Sequence, residues 1–249
     1  MAGKWHLGKS ATTIPHAKGF ERSFALMESG ADNFVEMPYS ALYEKVHYFE
    51  DDKAVTLPTE NYFSTDHYTK KIIDYIGSNR EDGKPFCAYL AYQAVHYPHQ
   101  APKEDIDKYK GVYDEGWHAI RNARLEKQKE LGIAPKGAVL NNDLEATSAD
   151  YWKIPAWDSL SDEQKRFSTR SMEVYAGMAD NMDQNIGKLF AYLTEIGEYE
   201  NMLKGESDKV HPESETIGYE LAGSSAIFKG KYKMVMNLPP QGYRQMGAV

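Results

Sequence analysis

The sequence predicts an α/β fold, because strand-like and helical patterns alternate along its 249 residues. The apolar and aromatic run PFCAYLAYQAV, at 85–95, is typical of a strand buried on both faces. Apolar residues spaced by three and four predict a helix over 64–77 and a longer one from Ser161 to Ile196. Together they predict a sheet with the 85–95 strand at its centre and the long helix packed over it.

The chain opens with two polar side chains on alternate positions of a strand-like stretch, GKWHLGKS. In an extended strand, Lys4 and His6 project to one face while Trp5 and Leu7 project to the other. The pattern predicts a cationic and titratable pair on an apolar backing. By itself it also fits a solvated strand end, since a lone lysine or histidine usually has no catalytic role.

Shorter elements precede the first helix. Gly, Pro and Asn interrupt residues 19–63, which indicates loops with short strands, and VHYFEDDKAVTL predicts a hairpin that turns at Asp51-Asp52. Ser64 or Thr65 would cap the helix over 64–77, and the glycine at position 77 would end it.

The middle of the chain carries the only cysteine and two further helices. Cys87 lies in the apolar run, so the sequence excludes an internal disulfide and predicts a buried structural thiol. Helices are predicted at 103–110 and 114–131, and Ser161 with Gln164 forms a capping-box pattern at the start of the long helix. Near the C-terminus, IGYELAGSSAIFKGKYKMVMNLPP predicts two short strands with a turn near Gly230.

Composition and charge limit the function classes. The chain is 41% apolar with a formal net charge of -8, which disfavours nucleic acid and anionic membranes as partners. No apolar run approaches the ~20 residues of a membrane helix, and the first residues lack the pattern of a secretory signal. We expect a soluble protein.

Four segments resemble one protein family, and they occur in that family's order. They are GKWHLGKS with HAKGFERSF following, STDHYTKKIIDYI, KPFCAYLAYQAVHYPHQAPKEDIDKYKGVYDEGW, and MEVYAGMADNMDQNIGKLFAYLTEIGEYEN. These segments resemble the sulfatases, specifically the bacterial-type arylsulfatases of the alkaline-phosphatase-like superfamily. A further stretch, 217–235, resembles a part of that family nearer its C-terminus.

The resemblance implies a fold and a domain division. It implies a partial alkaline-phosphatase-like sandwich with a mixed, mostly parallel sheet and helices on its faces. Residues 1–201 would form a partial sulfatase catalytic domain, 202–216 a linker-like junction, and 217–249 a short C-terminal strand segment. The opening stretch matches the interior of the family's domain, and the sequence turns polar after Asn201, where the family would enter a core strand. We therefore expect the chain to lack the N-terminal part of the domain and an internal segment.

The resemblance also implies a chemistry, the hydrolysis of a small-molecule sulfate ester at a pocket with calcium and a formylglycine. Lys4 matches the sulfate-binding lysine, His6 the histidine that contacts the formylglycine, and His96 the histidine near the leaving oxygen. A fixed ammonium stabilises negative charge in a sulfuryl group, and an imidazole can transfer a proton at neutral pH. His96 also follows a buried strand, where open α/β sheets place their ligands.

Several family motifs have no counterpart in this chain. The first-strand Asp pair, the Cys-x-Pro-Ser-Arg-type motif for formylglycine and the later Asp-Asn pair are missing. Asp51-Asp52 falls in a predicted turn, Asp180-Asn181 in the long helix, and the Asn-Asp pair at 142–143 in a loop. No calcium ligand can therefore be assigned from the family motifs in this sequence. Two interpretations follow: an arylsulfatase-type sulfuric ester hydrolase impaired or inactive in this chain, or a non-catalytic remnant or anion-binding module.

Overall fold

The structure is a computed structural model, which describes residues 1–84, 86–140 and 154–199 together with the backbone of three strands within 216–236. The chain divides into two compact units, residues 1–193 and 194–249. The first unit is α/β, as the sequence predicts.

A five-stranded mixed sheet forms the centre of the first unit. Its strands are β1 (Ala2–Lys4), β2 (Phe24–Leu26), β3 (Tyr48–Glu50), β4 (Lys53–Val55) and β5 (Leu90–Ala91). They lie in the order β4-β3-β2-β1-β5. β1 runs parallel to both β2 and β5, whereas β2 with β3 and β3 with β4 are antiparallel. The expectation of an α/β class with a mixed sheet is confirmed.

The backbone of β1 lies unusually close to β5. Gly3 has a φ of +118°, and a Cβ at this position would overlap the carbonyl group of Ala91. A side chain there would be strained by its φ and by the neighbouring backbone, so glycine is the residue that allows this pairing.

The apolar run at 85–95 differs from its prediction. Only Leu90 and Ala91 join the sheet, and β5 lies at its edge rather than at its centre. Phe86 and Tyr89 are about half exposed, and Cys87 is exposed, so the prediction of a buried thiol is wrong. Among the described strands, none pairs with the outer side of β5, so the residues before it have no sheet to cover them.

The predicted hairpin is confirmed as β3 and β4. Asp51 takes a φ of +55° in the turn between them. Its carboxylate accepts hydrogen bonds from the backbone N–H of Ser23 at 2.7 Å and from Nε of Arg22 at 3.2 Å. This acidic residue therefore joins the hairpin to the start of β2.

Helix α1 (Ser64–Asn79) buries the apolar face that its spacing predicts. The buried residues include Tyr68, Ile72, Tyr75 and Ile76. The ring of Tyr68 lies 6.1 Å from that of Phe24 in β2, so this face packs on the sheet.

Both predicted ends of α1 are wrong. Phe63 occupies the N-cap position without a side-chain cap, while Ser64 Oγ donates to Asn33 Oδ1 at 2.6 Å. The helix continues past Gly77, where a Cβ would lie 2.8 Å from the hydroxyl of Tyr192. Tertiary partners, rather than local capping, determine these two positions.

Three more helices complete the first unit: α2 (Lys103–Asp107), α3 (Gly116–Glu130) and α4 (Asp162–Glu195). The predicted capping box of α4 is confirmed, since Ser161 N–H donates to Gln164 Oε1 at 2.9 Å and Gln164 N–H donates to Ser161 Oγ at 3.3 Å. No helix in the described ranges has the length and apolar character needed to cross a bilayer.

The long helix packs over the chain that follows β5. Met178 is fully buried against Ala101 and Ile106, and Val95 packs on the same cluster. Beside this cluster α4 is polar, and both Asn181 and Gln184 hydrogen-bond to Asp105. Burial opposes ionisation of Asp105, but hydrogen bonds from Lys108, Gln184 and Asn181 outweigh it and hold the pKa of this carboxyl below its usual value.

The second unit contains an antiparallel three-stranded sheet of β6 (Thr216–Leu221), β7 (Ser224–Lys229) and β8 (Tyr232–Met236). Two strands were predicted here, and β6 is the additional one. The predicted linker at 202–216 lies outside the described residues except for its last position, and so does the pair at 142–143.

Two glycines of α4 provide a matched test of its packing. An alanine Cβ at Gly177 would lie 2.8 Å from the backbone N and Cα of Ile106, whereas one at Gly187 meets nothing within 4 Å. We expect Gly177→Ala to lower the free energy of unfolding by about 1–3 kcal/mol. Gly187→Ala should raise it by up to about 1 kcal/mol through helix propensity. Urea unfolding followed by circular dichroism checks both, and equal effects would contradict this packing.

Candidate functional site

Three chain segments leave the sheet at one edge. β1, β2 and β5 run parallel, with Lys4 paired to Leu26 and Gly3 paired to Ala91, so their carboxyl ends lie together. At these ends lie three segments: Lys4 to Lys9, Glu28 to Gly30, and Gln93 to His96. Ligands of open α/β sheets bind at such an edge.

The first of these segments does not continue as a strand. β1 ends at Lys4, and His6 takes a φ of +55°, so the predicted extended alternation through His6 is wrong. Trp5 makes the last backbone hydrogen bond to β2, because its N–H donates to Leu26 O at 2.8 Å. The Nε1–H of its indole donates to Thr13 O at 2.8 Å. These two bonds anchor the indole and turn the chain.

Lys4, His6 and His96 nevertheless share one electrostatic environment. Burial lowers the pKa of Lys4, whose side chain is half-buried. Burial also lowers the pKa of His6, the positive charges of Lys4 and His96 lower it further, and Glu28 opposes them. His6 therefore lies near enough to Lys4 and to His96 for each of them to lower its pKa.

The geometry of His96 defines its tautomer. Its Nδ1 lies 2.6 Å from the carbonyl oxygen of Tyr97, which can only accept a hydrogen bond. Nδ1 therefore carries the proton, and Nε2 is the nitrogen that can accept or deliver one. The backbone N–H of His96 donates to Gln93 O at 2.7 Å, and the ring contacts Tyr39 edge-to-face with centroids 6.0 Å apart.

A buried amide network, which the sequence analysis missed, holds the loop before His96. Gln93 accepts a hydrogen bond from the Ala31 N–H at 2.7 Å and donates to Asn33 Oδ1 at 3.3 Å. Asn33 Oδ1 also accepts from Ser64 Oγ. The signal that could have revealed this network is one glutamine within an otherwise apolar run.

Glu28 is the second residue that the sequence analysis missed. Its side chain is 3% exposed, and Oε1 lies 2.7 Å from Nδ1 of His47 and 3.6 Å from Nζ of Lys9. Oε2 accepts the backbone N–H of His47 at 2.8 Å. The protein ligands around this carboxylate are thus all donors or cations.

The described residues do not fit a calcium ion or a formylglycine. Within these ranges no group of three or more His, Cys, Asp or Glu could hold a metal. Calcium takes about six to eight oxygens, and both oxygens of Glu28 already have partners on His47. Cys87 is followed by Ala-Tyr-Leu, unlike the motif from which formylglycine is made. We therefore derive no step through either group.

Comparison with known proteins decides the family. The sulfatase family model matches residues 1–203. The chain belongs to the sulfatase family. An uncharacterized sulfatase of Schizosaccharomyces pombe is 38% identical over 211 residues, which cover 81% of this chain and 36% of that protein. The arylsulfatase of Klebsiella aerogenes is 33% identical over 205 residues, which cover 82% of this chain and 42% of that protein.

The chain also aligns with part of one solved structure. The putative sulfatase yidJ from Bacteroides fragilis matches with a TM-score of 0.49 and 15% identity, over 80% of this chain and 38% of that one. This sulfatase chain thus spans less than half the length of the relatives that it matches. The family resemblance carried by the sequence motifs is confirmed.

Titration of His6 tests the environment at the sheet edge. We expect Lys4→Met to raise the pKa of His6, because a nearby positive charge is removed, and Glu28→Gln to lower it further. Proton NMR of the imidazole signals across pH 4–9 measures both shifts. Lys53→Met is the matched control, since Lys53 lies exposed on β4, three strands from β1. An unchanged His6 titration in Lys4→Met would contradict the proximity of the two residues.

Proposed function

We propose that this sulfatase chain carries the sulfate-binding and proton-donating residues of an arylsulfatase-type sulfuric ester hydrolase. Lys4 would bind the sulfate group. His6 would form a hydrogen bond as a neutral imidazole, and His96 would give a proton to the leaving oxygen. The observation that carries the proposal is the parallel pairing of β1 with β2 and β5, which sets Lys4 and the segments leading to His6 and His96 at one sheet edge. The partial catalytic domain would comprise residues 1–201.

Lys4 would supply the fixed positive charge. Its ammonium is half-buried at the end of β1, where partial removal of water strengthens its interaction with a sulfate oxygen. Because the pKa of His6 lies below its usual value, the imidazole is mainly neutral at pH 7. His6 would therefore act as a hydrogen-bond partner rather than as a second cation.

His96 would deliver a proton to the departing oxygen. Its Nδ1 proton is engaged by the carbonyl oxygen of Tyr97, so Nε2 is the atom free for exchange. When the sulfur–oxygen bond of the ester breaks, Nε2–H of the protonated ring gives its proton to the leaving oxygen. A water molecule forms the new sulfur–oxygen bond as the ester bond breaks, and the neutral imidazole takes up the proton that this water loses. The products are the alcohol or phenol and hydrogen sulfate.

We also propose that the 249-residue chain binds sulfate esters but turns them over slowly or not at all. The described residues lack the donor set for calcium, which the family uses in the reaction. The same observation favours a second candidate function, an anion-binding module without catalysis. In both cases the partner is a small-molecule sulfate ester, and the net charge of -8 argues against nucleic acid or an anionic membrane.

Binding of 4-nitrophenyl sulfate tests the role of Lys4. We expect Lys4→Ala to weaken binding by about 10-fold or more, because a hydrogen bond to a charged group contributes about 1.5–3 kcal/mol. Isothermal titration calorimetry measures the affinity, and Lys53→Ala should leave it unchanged. Equal affinities for the wild type and Lys4→Ala would refute the proposed sulfate site.

Turnover of the same compound separates the two candidate functions. With calcium present, we expect release of 4-nitrophenol at or near the uncatalysed rate. A rate clearly above background that disappears in His96→Ala would overturn the proposal of impaired turnover and establish the hydrolase. His99→Ala, which changes a neighbouring histidine, is the control.

A further inference from the structure

Three tyrosines form a continuous aromatic surface beside His96. The centroid of the Tyr39 ring lies 6.0 Å from that of His96, 6.1 Å from Tyr97 and 6.3 Å from Tyr43. We call Tyr39, Tyr43 and Tyr97 the aromatic shelf. Tyr39 is its central member, because it contacts both other rings and the imidazole.

The shelf is attached to the same sheet edge as the candidate site. Ser29, which follows β2, lies with its Oγ 2.9 Å from the hydroxyl of Tyr39 and 2.7 Å from that of Tyr43. At Gly30 a Cβ would lie only 3.1 Å from the Tyr39 ring, so glycine permits the ring to pack there. The hydrogen bonds and the close backbone hold Tyr39 in place.

Part of the shelf remains open to a ligand. The side chain of Tyr97 is 61% exposed, and Tyr39 and Tyr43 are half-buried. A group of contacting aromatic rings that is partly open to solvent beside a candidate catalytic residue is typical of a binding site. Aromatic rings bind other aromatic rings by offset or edge-to-face contact.

We propose that the aromatic shelf binds the aryl ring of the leaving group, with Tyr39 as the specificity-determining residue. This inference rests on the proposed function, since it places the ring next to the proton donor His96. A sugar fits the shelf less well. Sugar hydroxyls require several directional hydrogen-bond partners, and the hydroxyls of Tyr39 and Tyr43 are already engaged with Ser29.

Calorimetry of the full chain with three probes tests the shelf: 2-naphthyl sulfate, methyl sulfate and 2-naphthol. We expect 2-naphthyl sulfate to bind about 3- to 10-fold more tightly than methyl sulfate, as one aromatic contact allows. Tyr39→Ala should remove this preference and leave methyl sulfate binding within about twofold. Tyr39→Phe, which keeps the ring, should retain the preference.

Two further variants keep the test sharp. Phe167→Ala removes a 75% exposed ring from α4 and should change nothing. If Tyr39→Ala does not fold, Tyr97→Ala alters the most exposed ring of the shelf and should reduce the preference. Equal binding of 2-naphthyl and methyl sulfate by the wild type would overturn the inference. So would an N-acetylglucosamine 6-sulfate affinity that matches 2-naphthyl sulfate and falls equally in Tyr39→Ala.

The probes also separate this inference from the proposed function. If sulfate binding does not depend on Lys4 while 2-naphthol binding is lost in Tyr39→Ala, the shelf stands and the proposed function fails. If both sulfates depend on Lys4 but show no preference for the aryl ring, the function stands and the shelf fails. Absence of binding by all three probes would overturn both.

Discussion

The parallel pairing of β1 between β2 and β5 is the constraint on which the site depends. It sets the carboxyl ends of three strands side by side, so that residues far apart in sequence, such as His6 and His96, come within electrostatic reach. Gly3 makes this pairing sterically feasible, because any side chain at that position would overlap the backbone of Ala91. A substitution at this glycine would separate the strands and move the two halves of the site apart.

Buried polar groups, rather than apolar contacts alone, hold the loops of the site in place. Gln93 and Asn33 are nearly inaccessible to solvent and satisfy one another across two loops and the start of α1. Each such bond contributes about 1 kcal/mol, but leaving one partner unsatisfied costs about 1–3 kcal/mol. The network therefore penalises alternative positions of the loop that ends at His96.

Two charged groups near the candidate site differ in their surroundings: the buried carboxylate of Glu28 and the half-buried ammonium of Lys4. Glu28 is buried, its carboxylate contacts Nδ1 and the backbone N–H of His47, and it lies 3.6 Å from Nζ of Lys9. Lys4 is half-buried with its pKa lowered by burial. A half-buried cation near the imidazole of His6 is an arrangement that stabilises negative charge.

Local sequence patterns determined much of this protein. The turn at Asp51, the capping box of Ser161 and Gln164, and the apolar face of α1 follow from interactions within a few residues, and the structure has all of them. The family motifs also identified Lys4, His6 and His96 as candidate site residues. Such features need no knowledge of distant partners, so the sequence is sufficient to predict them.

Only the tertiary structure decided where these pieces meet. The apolar run around Cys87 reads as a central strand, yet its burial depends on strands on both sides, and β5 has a described neighbour on one side only. The roles of Gln93, Glu28 and Tyr39 depend on residues that are distant in the chain. The pattern of residue types along a segment reflects its local preference for helix, strand or turn. Strand pairing, burial and ring contacts depend instead on packing between segments that are distant in the sequence.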